Sequence, residues 1–200
     1  ITKAAGGAKA AFSARPLVDF LRKHNRSEAA FASARRVFLL SCAAYCVATY
    51  VLGIGDRHNS NVMLCRDGRL FHIDFGHFLG NYKSKFGIKR ERAPFVFTPD
   101  FCEVLGGRNS PGFAEFQRVC GHAYNVLRAR AVDFNRLLTM MLHSDMPELQ
   151  NEEDIAWVNG ALALDMTEAE AAAHFKKLID ISLNTKTTQI NNMAHIIAHS

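Results

Sequence analysis

Gly55-Asp56-Arg57-His58-Asn59-Ser60-Asn61 sets an acid five residues ahead of an amide, and Asp74-Phe75-Gly76 begins thirteen residues beyond that amide. Phosphoryl transfer to a hydroxyl needs such a set: one group beside the attacking oxygen and two oxygen ligands for magnesium on the nucleotide phosphates. Asn61 and Asp74 supply the two ligands in this reading, with ATP and Mg2+ as the implied cofactors. Two residues compete for the substrate proton. The His58 imidazole titrates near neutrality and suits base work, whereas Asp56 would orient the hydroxyl or attract its proton. Arg57 either stabilises charge on the phosphates or pairs with a structural carboxylate. Phe75 and Gly76 anchor the segment that follows the second acid.

The elements that must position these residues are legible around them. Ser27-Glu28 opens a long helical pattern whose apolar positions (Phe31, Val37, Phe38, Leu40, Ala44, Tyr45, Ala48, Val51 and Leu52) recur at threes and fours, and Gly53 and Gly55 stop it. A helix apolar this far round is buried, and it delivers Asp56 from a rigid base. Two short apolar runs follow, Val62 to Cys65 and Leu70 to Ile73, separated by Arg66-Asp67-Gly68-Arg69. Asp-Gly between such runs signals a hairpin. The hairpin folds Asn61 back beside Asp74, within reach of one magnesium cluster.

Elsewhere the patterning is helical: Pro16 to His24, Phe113 to Arg130, a very apolar Val132 to His143, a helix headed by Asn151, one capped by Thr167 and Glu170, and a tail helix over Lys186 to His199. His77 to Arg92 reads as a polar, basic loop, and Pro94 to Phe97 as a brief apolar run. Ile1 to Arg15 reads as a connection from upstream sequence. With only one hairpin visible, the domain is mostly α.

Composition bounds the alternatives. At 48% hydrophobic and 22% charged, the 200 residues have the composition of an ordinary globular protein and can bury a core, which argues against disorder. The five cysteines are scattered and odd in number, so they form no disulfide framework. Cys42 and Cys46 read as buried reduced thiols in a cytosolic-type compartment. The sixteen uncharged residues from Val37 to Leu52 are short for a membrane span. His195 and His199 have zinc spacing but lack the following Glu of a metalloprotease helix.

Gly53-Ile54-Gly55-Asp56-Arg57-His58-Asn59-Ser60-Asn61 and His72-Ile73-Asp74-Phe75-Gly76-His77 resemble the catalytic and magnesium-binding motifs of the phosphoinositide 3-kinases. The Asp-Arg-His order is that of the lipid kinases; ordinary protein kinases have His-Arg-Asp. The resemblance covers nearly the whole chain and implies a mainly α (α+β) fold, the C-terminal lobe of a protein-kinase-like fold. Residues 1–200 would then be part of a catalytic domain. The resemblance also implies Asp56 and His58 as catalytic residues, and Asn61 and Asp74 as metal ligands.

The loop after Asp-Phe-Gly bears on the substrate. Lys83, Lys85, Lys89, Arg90 and Arg92 oppose a single acid, Glu91, where the acceptor must lie. Such a loop can neutralise the phosphates of an inositol head group. Its two basic clusters are similar to those of class I members and imply phosphatidylinositol 4,5-bisphosphate, phosphorylated at the 3-hydroxyl. Ala93-Pro94-Phe95-Val96-Phe97 and the spacing around Gly106-Gly107 are similar to class II, and Asn192 stands where class I relatives tend to carry a Trp. A class II enzyme or a 4-kinase is therefore the alternative, with a catalytically silent lipid-binding pseudokinase behind it. No glycine-rich phosphate loop or strand lysine precedes Asp56, so the ATP-covering lobe is expected upstream and this chain alone is expected to be inactive. A cytoplasmic enzyme recruited peripherally to membrane, with a regulatory or adaptor subunit, a small GTPase acting through other domains and no nucleic acid, completes the expectation.

Overall fold

The computed structural model describes residues 15–57, 59–80, 84–85, 88–89, 93–142 and 144–185. In chain order it holds α1 (Pro16–His24), α2 (Glu28–Val51), a 3-10 turn (Asn59–Asn61), β1 (Val62–Leu64), β2 (Leu70–His72), β3 (Ser84–Lys85), β4 (Ile88–Lys89), α3 (Pro99–Val104), α4 (Pro111–Ala129), α5 (Ala131–Met141), α6 (Glu152–Leu162) and α7 (Glu168–Asn184). The lobe is mainly helical, as its patterning predicts.

The predicted caps are formed. Ser27 accepts from the Ala30 amide at 3.1 Å to start α2. Asn151 with Asp154, and Thr167 with Glu170, make reciprocal capping boxes at the heads of α6 and α7. α2 is long and apolar enough to cross a membrane by length and composition. In this fold it is the central core helix, with Phe38, Cys42, Ala43, Cys46, Val47 and Val51 buried. Burial and the neighbouring Cys46 sulfur, 4.0 Å away, hold the Cys42 thiol well above its ordinary pKa, so it stays a protonated core group.

α4 lies along α2 in the same direction, because Arg36 meets Glu115 and Tyr50 meets Tyr124 further on. α7 runs antiparallel to α4, joined by Asn125 to the Glu168 carbonyl at one end and Arg108 to Asn184 at the other. The Pro94–Phe97 run is an irregular segment that feeds rings into this interface: Phe95 stacks on Phe175 at 5.4 Å and Phe97 on Phe116 at 4.6 Å.

The structure departs from one expectation and adds two features that the patterning left open. The segment read as one basic loop contains a second antiparallel pair, β3 with β4, in register Ser84↔Lys89. α3 has no counterpart in the sequence pattern; Thr98 caps it and Pro99 sits in its first turn, yet six residues are too few to show a period. The apolar α5 buries Leu138 but leaves Leu137 58% and Met140 79% exposed. The predicted helix over Lys186 to His199 lies outside the described residues.

The hairpin β1–β2 is seated on α2 at two points. Gly68, with φ +92°, brings the turn so close that a Cβ there would lie 2.0 Å from the Ala34 carbonyl oxygen. Ser41 Oγ accepts from the Leu70 amide at 3.0 Å. Register then fixes the open end: Val62 opposes His72, and the Ile73 amide donates to the Asn61 carbonyl at 3.0 Å.

Candidate active site

The rigid end of α2 and the open end of the hairpin meet at Asp56, Asn61 and Asp74. Leu52 caps α2, and Gly53 turns the chain out with φ +56°. Residues 52–55 then pair with residues 77–80: the Gly55 amide donates to His77 O at 2.9 Å, Leu79 to Leu52 O at 2.7 Å and Gly80 to Gly53 O at 3.1 Å. Asp56 follows residue 55 and Asp74 precedes residue 77, so the two acid-bearing loops lie at the same end of this short pairing.

Asp56 and Asp74 both adopt left-handed backbone, with φ +57° and +60°. For a non-glycine residue this conformation persists only where surroundings over-determine it, and such residues concentrate at functional sites. At Asp56 part of the determinant is visible. Asn61 Nδ2 donates to the Asp56 carbonyl at 2.8 Å, so the turn from acid to amide is closed by the amide itself.

That bond also orients Asn61. Its side chain is buried, its nitrogen is engaged, and its Oδ1 is left as the acceptor. Asp74 is exposed, and its Oδ1 lies over Gly76, where a Cβ would approach to 3.5 Å. Two hard oxygen donors on adjoining backbone fit magnesium. Among the described residues no cluster of three or more His, Cys, Asp or Glu side chains could hold a metal, so a cation here needs further oxygens from phosphate and water.

Arg57 takes a role that neither sequence-based alternative anticipates. Its Nε donates to the Gly55 carbonyl at 2.7 Å, one terminal nitrogen to Ile73 O at 2.8 Å and the other to Asp74 O. The guanidinium clamps the loop before the acid to the loop carrying the metal ligand. It also lies 5.5 Å over the Phe75 ring. Phe75 is 46% exposed, so it is held by a cation–π contact rather than by core burial.

His72 stands two residues before Asp74, stacked on Tyr45 at 4.9 Å with an interplanar angle of 6°. Burial first, then the nearby Arg57 charge, lowers its pKa to about 4, which keeps the ring neutral near pH 7. It fastens the hairpin to α2.

His58, Lys83, Arg90 and Arg92 lie outside the described residues, and for Lys85 and Lys89 the main chain alone is described, in β3 and β4. Two features of the site are missed by reasoning from sequence. The outer face of the hairpin presents the cross-strand pair Met63 and Phe71, with Ile73 beside Asp74; Met63 is 39% and Ile73 41% exposed. Strand alternation puts Met63 outward when Val62 faces the core, so a signal for it exists. An apolar shelf next to two phosphate-side oxygen ligands suits a planar base. The second feature is Trp157 of α6, whose indole covers Gly53 and Gly80. No local pattern marks that contact.

A helical lobe that carries an acid, an amide and Asp-Phe-Gly on loops at the open end of a hairpin is the C-terminal lobe of a kinase-type fold. Comparison with known proteins narrows the class. A family model described as phosphatidylinositol 3- and 4-kinase matches residues 8–151. Over 195 residues, 98% of the chain, the sequence is 53% identical to phosphatidylinositol 3-kinase 1 of Dictyostelium discoideum. It is 51% identical over 199 residues to phosphatidylinositol 3-kinase 3 of the same organism. Over 194 residues it is 46% identical to the human phosphatidylinositol 4-phosphate 3-kinase C2 domain-containing subunit beta. The chain spans 12% of the length of each of these relatives. This chain belongs to the phosphatidylinositol 3- and 4-kinase family.

Proposed function

We propose that residues 1–200 form the C-terminal lobe of the catalytic domain of a phosphatidylinositol 3-kinase. In this reading the enzyme transfers the ATP γ-phosphoryl group to the inositol 3-hydroxyl of phosphatidylinositol 4,5-bisphosphate. The observation that carries it is the joint placement of Asn61 and Asp74 at the open end of the hairpin, with Asp56 fixed to Asn61.

The adenine rests on Met63, Phe71 and Ile73. Asn61 and Asp74 hold magnesium, which neutralises charge on the phosphates when bound. Asp56, or His58 beside it, handles the proton of the attacking hydroxyl. Arg57 keeps the two loops in one relation. The cover for the phosphates comes from sequence outside this chain, as do the surfaces for a regulatory subunit or small GTPase. A cytoplasmic enzyme reaches its lipid by peripheral recruitment.

The substrate rests on the basic loop, Lys83, Lys85, Lys89, Arg90 and Arg92, directly after Asp74-Phe75-Gly76. A second reading, phosphatidylinositol 4-phosphate as acceptor, is favoured by the name of the human relative. The test offers the full-length protein vesicles containing phosphatidylinositol, its 4-phosphate or its 4,5-bisphosphate, and assigns the position of the new phosphate. A 3-phosphorylated product from 4,5-bisphosphate, lost in Lys89→Ala/Arg90→Ala while ATP hydrolysis survives, supports the first reading. Product from the 4-phosphate alone supports the second, and product from unphosphorylated lipid alone sinks both.

A further inference from the structure

The short pairing between residues 52–55 and 77–80 has Asp56 just after residue 55 and Asp74 shortly before residue 77, both at the end where the Gly55 amide meets the His77 carbonyl, so its geometry sets how the acid and the metal ligand face each other. Three rungs are few for that task, and both acids sit in strained left-handed backbone. Arg57 joins the two loops at the acid-bearing end, and the far end, where residues 52 and 53 meet 79 and 80, has a support of its own.

That support is on α6. A Cβ at Gly53 would lie 2.4 Å from Trp157 Nε1 and 2.5 Å from the Gly80 amide nitrogen. A Cβ at Gly80 would lie 2.2 Å from Trp157 Cε3. Both glycines also have positive φ, +56° and +77°. The indole therefore lies against bare backbone on both paired segments at once. Its own helix is fixed by the Asn151–Asp154 capping box and by buried Ile155, Val158 and Leu162.

We propose that Trp157 is a positioning residue for phosphoryl transfer, its indole clamping Gly53 to Gly80 so that Asp56 and Asp74 keep their productive relation. The proposal rests on the phosphotransferase reading above. Trp157 touches neither nucleotide nor lipid in this scheme; it acts through the paired segments. Displacement of reacting groups by about 1 Å can cost on the order of 100-fold in rate, so the expected signature is in turnover rather than in binding.

The experiment uses the full-length protein with magnesium, ATP and inositol-lipid vesicles, and reports kcat per folded enzyme together with KM for ATP and the thermal midpoint. Trp157→Ala is expected to lower kcat by about tenfold or more while KM for ATP moves less than about threefold, and Trp157→Phe, which keeps a flat ring, is expected to recover most of kcat. Gly80→Ala is expected to lose activity because its Cβ meets the indole. Combined with Trp157→Ala, its further cost should shrink by at least about fivefold, to the part that the backbone φ of +77° imposes whatever the space. Unchanged kcat in Trp157→Ala despite a lower thermal midpoint would show a merely structural role and overturn the proposal. Independent, multiplicative losses in the double variant would overturn it as well. Should Trp157→Ala fail to fold, Trp157→Leu, apolar but not flat, carries the same expectation, and wild-type kcat there overturns it. Wild-type protein that transfers no phosphoryl group to any inositol lipid sinks the underlying reading and the proposal with it; where the wild type is active, the variants alone decide the role of Trp157.

Discussion

The guanidinium of Arg57 donates to the main-chain carbonyl of Asp74, while its other nitrogens reach Gly55 and Ile73. One side chain thus bridges the loop leading into Asp56 and the loop leading out of the hairpin. Three carbonyls in a fixed fork suit a planar guanidinium and cannot all be met by an ammonium. Arg57→Lys is therefore expected to fold and to lose about 10- to 100-fold in kcat, with Arg57→Ala no better. Steady-state kinetics on the full-length protein decides it; a lysine variant at wild-type turnover would show that the clamp is dispensable.

Asn61 has two functions that substitution can separate. Its nitrogen holds the Asp56 carbonyl, and its oxygen is the proposed metal ligand. Asn61→Ala removes both, and the magnesium concentration for half-maximal turnover should rise about tenfold as kcat falls. Asn61→Asp keeps an oxygen but sets an acceptor against a carbonyl, so kcat should fall without a higher magnesium requirement. Magnesium titrations of both variants test this, and a higher requirement in Asn61→Asp would remove the distinction.

The sequence carried the local half of this site. Caps at Ser27, Asn151 and Thr167, the Asp67-Gly68 turn and the fold-back that sets Asn61 against Ile73, the neighbour of Asp74, all depend on residues near one another in the chain, where spacing has physical meaning. The clamp by Arg57 was not legible because its acceptors are main-chain carbonyls, which no residue type announces. Trp157 on Gly53 and Gly80 was not legible because the contacts join residues 104 and 77 positions apart in the chain. The exposure of Leu137 and Met140 on α5 was not legible for a related reason: apolar residues are inside only when a neighbour covers them.

The shelf of Met63 and Ile73 offers a reading on ATP alone. Both side chains are substantially exposed, so truncation should leave the fold intact. Each to alanine removes apolar area that a base would cover, on the order of 1 kcal/mol. KM for ATP is expected to rise about three- to tenfold in each, with lipid KM unchanged. Equal effects on both substrates would place the shelf elsewhere in the mechanism.

Glu115 joins α2 to α4 through Arg36 at 3.2 Å, while Arg118 at 2.8 Å steadies it. Hydrogen bonds from Arg118 and then Arg36 lower its pKa to about 2 from the ordinary 4.5. The stabilisation is thus complete above pH 4.5 and disappears as pH falls through about 2. The pair is exposed, so the effect is small and salt-sensitive. Carboxyl NMR should place the Glu115 midpoint well below that of free glutamate, and Arg36→Ala should raise it; a midpoint near 4.5 in wild type would refute the link.

Gly68 tests whether the hairpin's seat on α2 governs the site at its other end. A Cβ at this position would lie 2.0 Å from the Ala34 carbonyl oxygen and 2.7 Å from its carbon, and neither is the tip of a flexible side chain. The backbone φ of +92° adds strain for any L side chain. Gly68→Ala must lift the turn from the helix, weakening the Ser41 bond to the Leu70 amide that lies next along β2. A cost of about 2–4 kcal/mol in denaturant unfolding is expected. The hairpin is only three residues per strand, so a shift at the turn reaches Asn61 and Asp74 with little to absorb it. Variant enzyme assayed under conditions where it remains folded should therefore need more magnesium for half-maximal turnover. A variant that is destabilised by this amount yet titrates with magnesium as the wild type does would show that Asn61 and Asp74 are held from the Arg57 side alone.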